Sequence, residues 1–151
     1  NFDLNVFFQW SYGNDIQNTN RLVFEGNALG KRFLQQFDSY TDRWSPDNQG
    51  AKNYRTGGFS VAGYSSRTIE DGSFIRLKTV SLGYNVPKLL LSKINIKAVR
   101  VFVSGQNLYT WTKYTGLDPE VSTYNSVLTG GFDYSGYPRA RIVAMGLNVT
   151  F

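Results

Sequence analysis

The sequence predicts an all-β chain that forms part of a transmembrane barrel. Three observations lead to this fold class: apolar residues alternate with period two in four segments, aromatic residues cluster near the segment ends, and the connections are alternately long and short. In lipid, an open sheet would leave backbone groups unpaired, whereas a closed barrel pairs them all. The predicted strands are residues 1–13, 73–86, 98–112 and 138–151.

The first and last segments alternate most clearly. From Phe2 to Tyr12 every even-numbered residue is apolar, and the odd-numbered residues are polar apart from Phe7. Counting back from Phe151, every second residue as far as Val143 is apolar. An edge strand of a β-sandwich would alternate in the same way, so this pattern alone leaves both folds open.

The two middle segments follow the same pattern with an interruption in each. In residues 73–86, Arg76 and Lys78 break the apolar phase, which predicts a β-bulge near residues 77–79. Pro87 ends this segment, because proline has no amide hydrogen to donate to a neighbouring strand. In residues 98–112, glycine and asparagine interrupt the apolar side.

The connections predict an orientation. Residues 14–72 and 113–137 form long loops, and residues 87–97 form a short turn that we expect to contain one helical turn over 88–94. Barrels have short periplasmic turns and longer extracellular loops, so we expect extracellular long loops and a periplasmic C-terminus. We also expect a short helix in the first loop, capped by Asn27, with an apolar side made of Leu29, Phe33, Phe37, Tyr40 and Trp44.

Aromatic residues stand where the two membrane interfaces would lie in this orientation. Tyr and Trp prefer that depth because each ring system has an apolar body and a polar tip. The predicted girdle residues are Phe2, Trp10, Tyr12, Phe74, Tyr84, Tyr109 and Trp111. Since the smallest barrels have about eight strands, four strands must pair with further polypeptide at both edges.

Composition excludes several kinds of site. The chain has 151 residues, with 16 Lys and Arg against 11 Asp and Glu, and with no Cys and no His. It therefore lacks disulfides, thiolates and the commonest general base. Its scattered positive charge forms no basic block that would bind nucleic acid. No run approaches the ~18 apolar residues of a membrane helix. The chain opens on Asn1 without a signal peptide, so we expect a piece of a longer protein or a mature or cleaved product.

Other chemistry has little support. Asp118 and Glu120 flank a proline, and we interpret them as a turn rather than a catalytic carboxylate pair. The remaining loop acids lack the D-x-D-x-D spacing of a calcium loop. These acids are Asp15, Asp38, Asp42 and Asp133. We predict no catalytic residue, no metal and no cofactor.

Several motifs occur in order along nearly the whole chain. They are Asn1-Phe-Asp-Leu, Ser11-Tyr-Gly-Asn-Asp15, Phe74 to Tyr84, Val101 to Leu108, Thr112 to Val121 and the tail from Tyr137. Together they resemble the C-terminal part of SusC/RagA-type TonB-dependent transporters of Bacteroidetes. The last residues also resemble the β-signal read by the outer-membrane barrel assembly machinery, at Gly146, Val149 and Phe151. That signal usually has a polar residue where this chain has Ala144.

The resemblance implies a 22-stranded barrel, a size known among outer-membrane transporters, with its plug domain outside this chain. It implies an importer of oligosaccharides or peptides rather than an enzyme. The implied partners are the rest of the barrel, a SusD-like surface lipoprotein, TonB with ExbB and ExbD, and outer-membrane lipid with lipopolysaccharide. Two alternatives stay open: a soluble carbohydrate-binding β-sandwich, and a passive porin or adhesin barrel.

Cargo contact is predicted for aromatic residues of the loops, because rings offer stacking surface at a small cost in conformational entropy. These residues are Trp44, Tyr114, Tyr124 and Tyr134. The alternative for aromatic residues in the first loop is that they pack the loop onto the mouth of the barrel.

Overall fold

A computed structural model describes residues 1–25, 35–55, 65–92, 96–123, 128 and 130–151. In chain order the elements are β1 (Phe2–Ser11), β2 (Asp15–Asn18), α1 (Thr19–Phe24), a 3-10 turn (Asp38–Thr41), β3 (Ile69–Asp71), β4 (Phe74–Asn85), α2 (Lys88–Leu91), β5 (Ala98–Thr112), β6 (Phe132–Asp133) and β7 (Ile142–Thr150). They form two compact units. The wall comprises Asn1–Tyr12, Ser73–Lys113 and Arg139–Phe151, and the loop unit comprises Gly13–Gly72 and Tyr114–Pro138.

The wall is a single antiparallel sheet with the strand order β1-β4-β5-β7. Each strand lies within one of the four ranges predicted from apolar alternation, and the predicted antiparallel four-stranded fold is confirmed. The strands are 10, 12, 15 and 9 residues long in chain order. A tilted strand needs about 9–11 residues to cross the hydrocarbon core of a bilayer, so each of these strands has a suitable length.

The β-bulge predicted near residues 77–79 is confirmed. Phe7 pairs with Thr79, and the next residue of β1, Phe8, pairs with Leu77. Lys78 is therefore an extra residue on β4. Because side chains alternate between the two faces of a sheet, one extra residue reverses the face of every side chain on the far side of it.

β5 accommodates the same bulge from its other side. Leu77 pairs with Tyr109, and Thr79 pairs with Gln106, so two residues of β5 lie opposite the extra residue of β4. One of the two is Asn107, which has a positive φ of 51°. Asparagine tolerates this left-handed conformation better than most residues. Its side-chain amide donates to the Ala140 carbonyl at 3.0 Å, just before β7 begins.

The loop unit contains a small three-stranded sheet with the order β3-β2-β6. β2 is antiparallel to β3 and parallel to β6. Ile16 of β2 and Asp133 of β6 are its most deeply buried large side chains among the described residues. At the end of β2, the side chain of Asn18 accepts a hydrogen bond from the Arg21 amide at 3.4 Å and so caps α1.

The helix found in the first loop is not the helix that we predicted. The predicted cap Asn27, with Leu29 and Phe33, lies outside the described residues. Of the rest, Tyr40 lies in the short 3-10 turn, and Trp44 follows it in extended backbone, where its amide donates to the Asn53 carbonyl at 2.9 Å. The helical prediction was therefore wrong for this part, because pairing with a distant segment overrides local spacing.

The short connection between β4 and β5 begins with α2, directly after Pro87. The fixed φ of proline suits the start of a helix. Of the helical turn predicted over 88–94, α2 covers Lys88–Leu91, and residues 93–95 lie outside the described ranges. Within the part of the chain that the structure describes, no helix is both long and apolar enough to cross a membrane.

Candidate functional site

One face of the wall is apolar across all four strands. Strand pairing builds a central row from Leu4, Leu82, Val103 and Met145. Flanking rows contain Phe2, Tyr84, Val101 and Leu147 on one side, and Val6, Val80, Gly105 and Val143 on the other. Most of these side chains are exposed, with values of 67% for Leu4 and 83% for Met145, whereas Val80 and Tyr84 are half-buried and Gly105 is buried. Such a continuous exposed face matches the outward apolar band of a membrane barrel.

This exposure overturns the β-sandwich alternative. In a sandwich, the apolar faces of two sheets enclose each other and exclude water. Among the described residues, the buried hydrophobic side chains are Ile16, Val23, Phe74, Leu91 and Tyr114. None of them belongs to the three rows of the apolar face, so that face does not form an enclosed core among the residues that the structure describes.

Aromatic rings lie at both ends of the apolar face. At one end Phe2 pairs with Tyr84, and their ring centroids are 4.6 Å apart. At the other end Tyr109 and Trp111 meet edge to face, with centroids 4.7 Å apart. Two further predicted girdle residues at this second end are exposed, Trp10 and Tyr12. Their placement is that expected of interfacial rings, and their depth in a bilayer stays a prediction.

Phe74 was predicted as a girdle residue, and this prediction was wrong. Its side chain is only 6% exposed, and it pairs with Ser11, a residue of the polar face. The guanidinium of Arg76, on the same face of β4, lies 5.7 Å from the centroid of its ring. The reason is the bulge at Lys78, which reverses the faces of the preceding residues, so that Ile75 occupies the apolar face instead.

The opposite face of the wall is mostly polar. Asp3 on β1 forms an ion pair with Arg100 on β5, and Asn85 donates to the same carboxylate at 3.4 Å. The pair reaches across β4 at Gly83, where a Cβ would come within 2.6 Å of both charged side chains. Glycine at this crossing therefore leaves room for the two charged side chains to meet as they do. A polar inner face opposite an apolar outer face is typical of transmembrane barrels.

Gly146 of the predicted assembly signal has a packing role in the structure. It pairs with Phe102 on β5, and a Cβ at this glycine would lie 2.4 Å from Cζ of that ring. The ring therefore lies over the glycine, as aromatic residues often do across a sheet. Val149 pairs with Val99 on the apolar face, and Phe151 is exposed. Recognition of these residues by assembly machinery stays a prediction.

In the loop unit, one carboxylate connects the two loops. Glu70 of β3 accepts hydrogen bonds from the Thr115 amide and hydroxyl at 2.8 Å, from Asn18 at 3.0 Å and from Arg21 at 3.3 Å. Burial raises the pKa of Glu70, but these hydrogen bonds together outweigh burial, so its pKa lies below the ordinary value of 4.5. At neutral pH a charged Glu70 therefore fastens the start of the second loop to the base of the first.

A second polar contact set holds the middle of the first loop. Arg43 is buried and donates to the Glu25 carbonyl at 2.7 Å and to the Tyr54 carbonyl at 3.2 Å. Asn53 is also buried, and its side-chain amide donates to the Ser39 carbonyl. Buried polar side chains are stabilising only when they are paired, and here they fix the path of the backbone.

The predicted cargo-contact residues have different surroundings. Trp44 and Tyr134 are each 41% exposed, whereas Tyr124 lies outside the described residues. Tyr114 is only 5% exposed, and its hydroxyl donates to Asp133 at 2.6 Å. Burial and this hydrogen bond raise the pKa of the Tyr114 hydroxyl. The structure thus corrects the prediction for Tyr114, because its ring packs inside the loop unit and its hydroxyl satisfies a buried carboxylate.

The whole chain aligns with TonB-dependent receptors of Formosa agariphila. It is 40% identical to receptor P3 over 156 residues, which are 100% of this chain and 15% of P3. It is 36% identical to receptor P26 over 157 residues, which are 100% of this chain and 16% of P26. It is also 36% identical over 85 residues to the TonB-dependent receptor SusC of Bacteroides thetaiotaomicron, covering 55% of this chain and 8% of SusC. No family model matches the chain.

The same fold is found in the structure of the RagAB peptide importer. The open-open state superimposes with a TM-score of 0.83 and 28% identity, covering 99% of this chain and 16% of that chain. The chain belongs to the SusC/RagA-type TonB-dependent receptors. It spans only 15–16% of the relatives that it matches over its full length. The wall of this receptor segment is therefore a four-stranded fragment of a much larger barrel.

The loop unit of the receptor segment contains a cavity that the sequence did not reveal. Its volume is about 970 Å³, near the upper end of the ~300–1,000 Å³ of small-molecule sites. The rings of Phe24 and Phe37, 5.4 Å apart, line it together with Leu117 and Tyr137 from the second loop. Arg21 also lines it. A mostly apolar cavity with a few polar groups suits a small molecule of mixed polarity.

The acidic residues considered above as catalytic or calcium-binding groups either form a turn or lie apart from one another. The Asp118 carboxylate accepts a hydrogen bond from the Glu120 amide at 2.9 Å, and its carbonyl accepts one from the Val121 amide at 3.3 Å. This is the turn that the sequence predicted. Across the described ranges, no three potential metal-ligating side chains come together, a finding that includes Asp15, Asp38, Asp42 and Asp133.

Proposed function

We propose that this receptor segment forms part of the wall and the extracellular loops of an outer-membrane importer. The observation that carries the proposal is the exposed apolar face that continues across four hydrogen-bonded strands. In water this face would promote aggregation, whereas in lipid it is the side that contacts hydrocarbon. The similarity to SusC and to the RagAB peptide importer supports the same function.

The proposed orientation follows from the lengths of the connections. The loops of residues 14–72 and 113–137 are extracellular, and the turn of residues 87–97 and the C-terminal Phe151 are periplasmic. β1 and β7 are the edges of the four-stranded sheet, so the rest of the barrel pairs with them. A sheet edge in lipid must be closed in this way, because its backbone groups have no other partner there.

The proposed partners and cargo follow from the family. A plug domain fills the barrel, a SusD-like lipoprotein covers its outer face, and TonB with ExbB and ExbD supplies energy from the periplasmic side. Lipid and lipopolysaccharide surround the wall. The cargo is an oligosaccharide or a peptide, and we propose Trp44, Tyr124 and Tyr134 as cargo contacts. The passive porin or adhesin alternative is disfavoured because the two relatives that align with the whole of this chain are named TonB-dependent receptors.

Topology can be tested by labelling single cysteines, because the chain has none of its own. In a full receptor without other accessible cysteines, Gln49→Cys in the first loop is expected to react with a membrane-impermeant maleimide on intact cells. The matched variant Leu90→Cys in the short turn is expected to react only after the outer membrane is permeabilised. The reverse pattern would contradict the proposed orientation.

Import can be tested by measuring uptake in the native bacterium. Labelled oligosaccharides and peptides are offered to cells that carry the full receptor, to cells without it, and to cells without TonB. We expect at least one cargo to enter only when both the receptor and TonB are present. Receptor-dependent entry that persists without TonB would instead favour a passive pore.

A further inference from the structure

The first loop presents two aromatic side chains next to each other. Arg43 and Asn53 form a parallel bridge, and the Trp44 amide donates to the Asn53 carbonyl at 2.9 Å. Side chains alternate along extended backbone, so burial of Arg43 and Asn53 turns the following residues, Trp44 and Tyr54, to the outside. Both are partly exposed, by 41% and 46%. We name this pair the aromatic platform.

Polar contacts beneath the aromatic platform hold it in place. Arg43 donates to the Tyr54 carbonyl at 3.2 Å, and Arg67 donates to the side-chain carbonyl of Asn53. The guanidinium of Arg67 also lies 5.0 Å from the centroid of the Tyr54 ring. The platform is therefore ordered before any ligand arrives, which lowers the entropy cost of binding.

The aromatic platform lines a shallow cavity of about 420 Å³. Lys52 and Arg55 line the same cavity, together with Ala51 and Asn53, so no acidic side chain is among its lining residues. Asp42 is near this segment, where its carboxylate accepts the Lys52 amide at 3.4 Å. Two rings and two cations in one depression combine a stacking surface with groups that pair with carboxylate or sulfate.

We propose that the aromatic platform binds an anionic oligosaccharide. A sugar ring stacks on Trp44 and Tyr54, and its carboxylate or sulfate pairs with Lys52 and Arg55. This proposal rests on the proposed import function and names the chemical class of the cargo. A saccharide is favoured over an acidic peptide because extended peptides are commonly held through backbone hydrogen bonds at a strand edge. Here the Trp44 amide is already used within the bridge.

The test measures binding of defined oligosaccharides to the full receptor in detergent. One matched pair is an oligogalacturonate and its fully methyl-esterified form, in which each negative carboxylate is replaced by a neutral methyl ester on the same sugar backbone. A wider set contains sulfated oligosaccharides, their neutral parents and an acidic peptide. At low salt we expect a charged saccharide to bind at least about tenfold more tightly than its neutral form, a difference that two cation–anion pairs can supply.

Variants assign this preference to the platform. Trp44→Ala combined with Tyr54→Ala is expected to weaken binding of the charged saccharide at least about tenfold, through loss of stacking. The matched control, Trp44→Phe with Tyr54→Phe, keeps both rings and is expected to stay within about threefold of the unmodified receptor. Lys52→Gln with Arg55→Gln is expected to bring the charged form to the affinity of its neutral form.

The proposal is overturned by any of four results. The first is that no saccharide binds, and the second is that charged and neutral forms bind with equal affinity. The third is that the double alanine variant binds the charged saccharide as tightly as the unmodified receptor does. The fourth is that the acidic peptide binds more tightly than the saccharides and depends on the platform. Uptake separates this proposal from the import function. TonB-dependent uptake without charge preference contradicts the platform alone, whereas platform-dependent binding with TonB-independent uptake contradicts energised import alone.

Discussion

The wall and the loop unit are stabilised in opposite ways. The wall depends on continuous backbone pairing, and its large apolar side chains are mostly exposed. The loop unit has short strands and buries polar side chains instead, namely Asn18, Arg43, Asn53, Thr68, Asp118 and Asp133. The wall is therefore suited to an apolar solvent that replaces a protein core, whereas the loop unit builds its own interior from hydrogen bonds.

This difference indicates which substitutions each unit tolerates. In the wall, the cost of a charged residue should depend on which face of the sheet receives it, because only one face meets lipid in the proposed function. In the loop unit, the cost depends on whether a buried partner is left without its hydrogen bond. The two units should therefore respond differently to the same kinds of change.

The largest effect is expected when arginine replaces a residue at the centre of the apolar face. Val103→Arg places a charge where lipid contact is proposed, and charged residues near the bilayer midplane of barrels cost about 2–4 kcal/mol. The neighbouring Ser104→Arg places the same charge on the polar face and is the matched control. Two quantities are measured for the full receptor: the fraction that shows a heat-dependent shift in gel mobility, and the yield in the outer membrane. Both should fall strongly for the first variant and little for the second. Equal loss in both would contradict lipid contact at this face.

A smaller effect is expected at Gly146, where steric crowding acts in place of charge. Gly146→Leu introduces a Cβ only 2.4 Å from Cζ of Phe102, well inside van der Waals contact. Overpacking of this kind costs about 1–3 kcal/mol and should lower the yield of folded receptor in the outer membrane. Combining it with Phe102→Ala should restore much of that yield, because the second change opens the space.

The rescue distinguishes packing from signal recognition. If Gly146 acts mainly by being read during assembly, removal of the Phe102 ring would leave the defect unchanged. Deletion of Phe151, which is exposed and packs less, tests the signal separately. We expect that deletion to lower insertion, and unchanged surface levels would refute the signal assignment of the tail.

In the loop unit, acid should loosen the contact between the two loops while the wall stays intact. The pKa of Glu70 is lowered in the folded state, so its contribution is fully present above the ordinary value of 4.5 and is lost as pH falls through the folded pKa. Glu70→Gln should increase hydrogen exchange of the Thr115 amide about tenfold at neutral pH, a change of roughly 1–2 kcal/mol. It should also remove the acid-induced increase seen in the unmodified receptor.

Hydrogen exchange within β4 and β5 provides the internal control for that experiment. Their backbone pairing involves no titrating side chain, so their protection from exchange should not depend on the charge of Glu70. Thr115 protection that falls equally with acid in the Glu70→Gln variant would show that another group controls the contact.

The contrast also explains what could be predicted from the sequence. The wall was predictable because the alternation of apolar side chains is a property of neighbouring residues. The disruption by Arg76 and Lys78 even located the bulge. The consequence of the bulge was not carried through to Phe74. The prediction left Phe74 in phase with the apolar residues that follow the bulge, and so assigned it to the wrong face.

The loop unit was less predictable because its contacts join residues that are far apart in sequence. Thr115 is separated from Glu70 by 45 positions, and no local pattern marks either residue as a partner. Trp44 was recognised as an exposed aromatic candidate, but Tyr54 was missed because only the bridge between Arg43 and Asn53 makes them neighbours. Tyr114 looked equally available in the sequence, and only the buried Asp133 reveals its structural role.

The smallest effect is expected for the ion pair on the polar face of the wall. Asp3 and Arg100 retain 46% and 39% of their side-chain exposure, respectively, and exposed pairs typically contribute only about 0.2–1 kcal/mol. A double-mutant cycle with Asp3→Asn and Arg100→Gln, read from the urea midpoint of the full receptor, should give a coupling energy in that range. Because water and ions screen exposed charges, about 0.5 M salt should remove most of it. A corresponding cycle with Glu70→Gln and Thr115→Val should give a larger coupling that persists in salt, since the Glu70 side chain is only 11% exposed and its charge is screened less. Equal couplings would mean that the wall and the loop unit do not differ in how they use polar contacts.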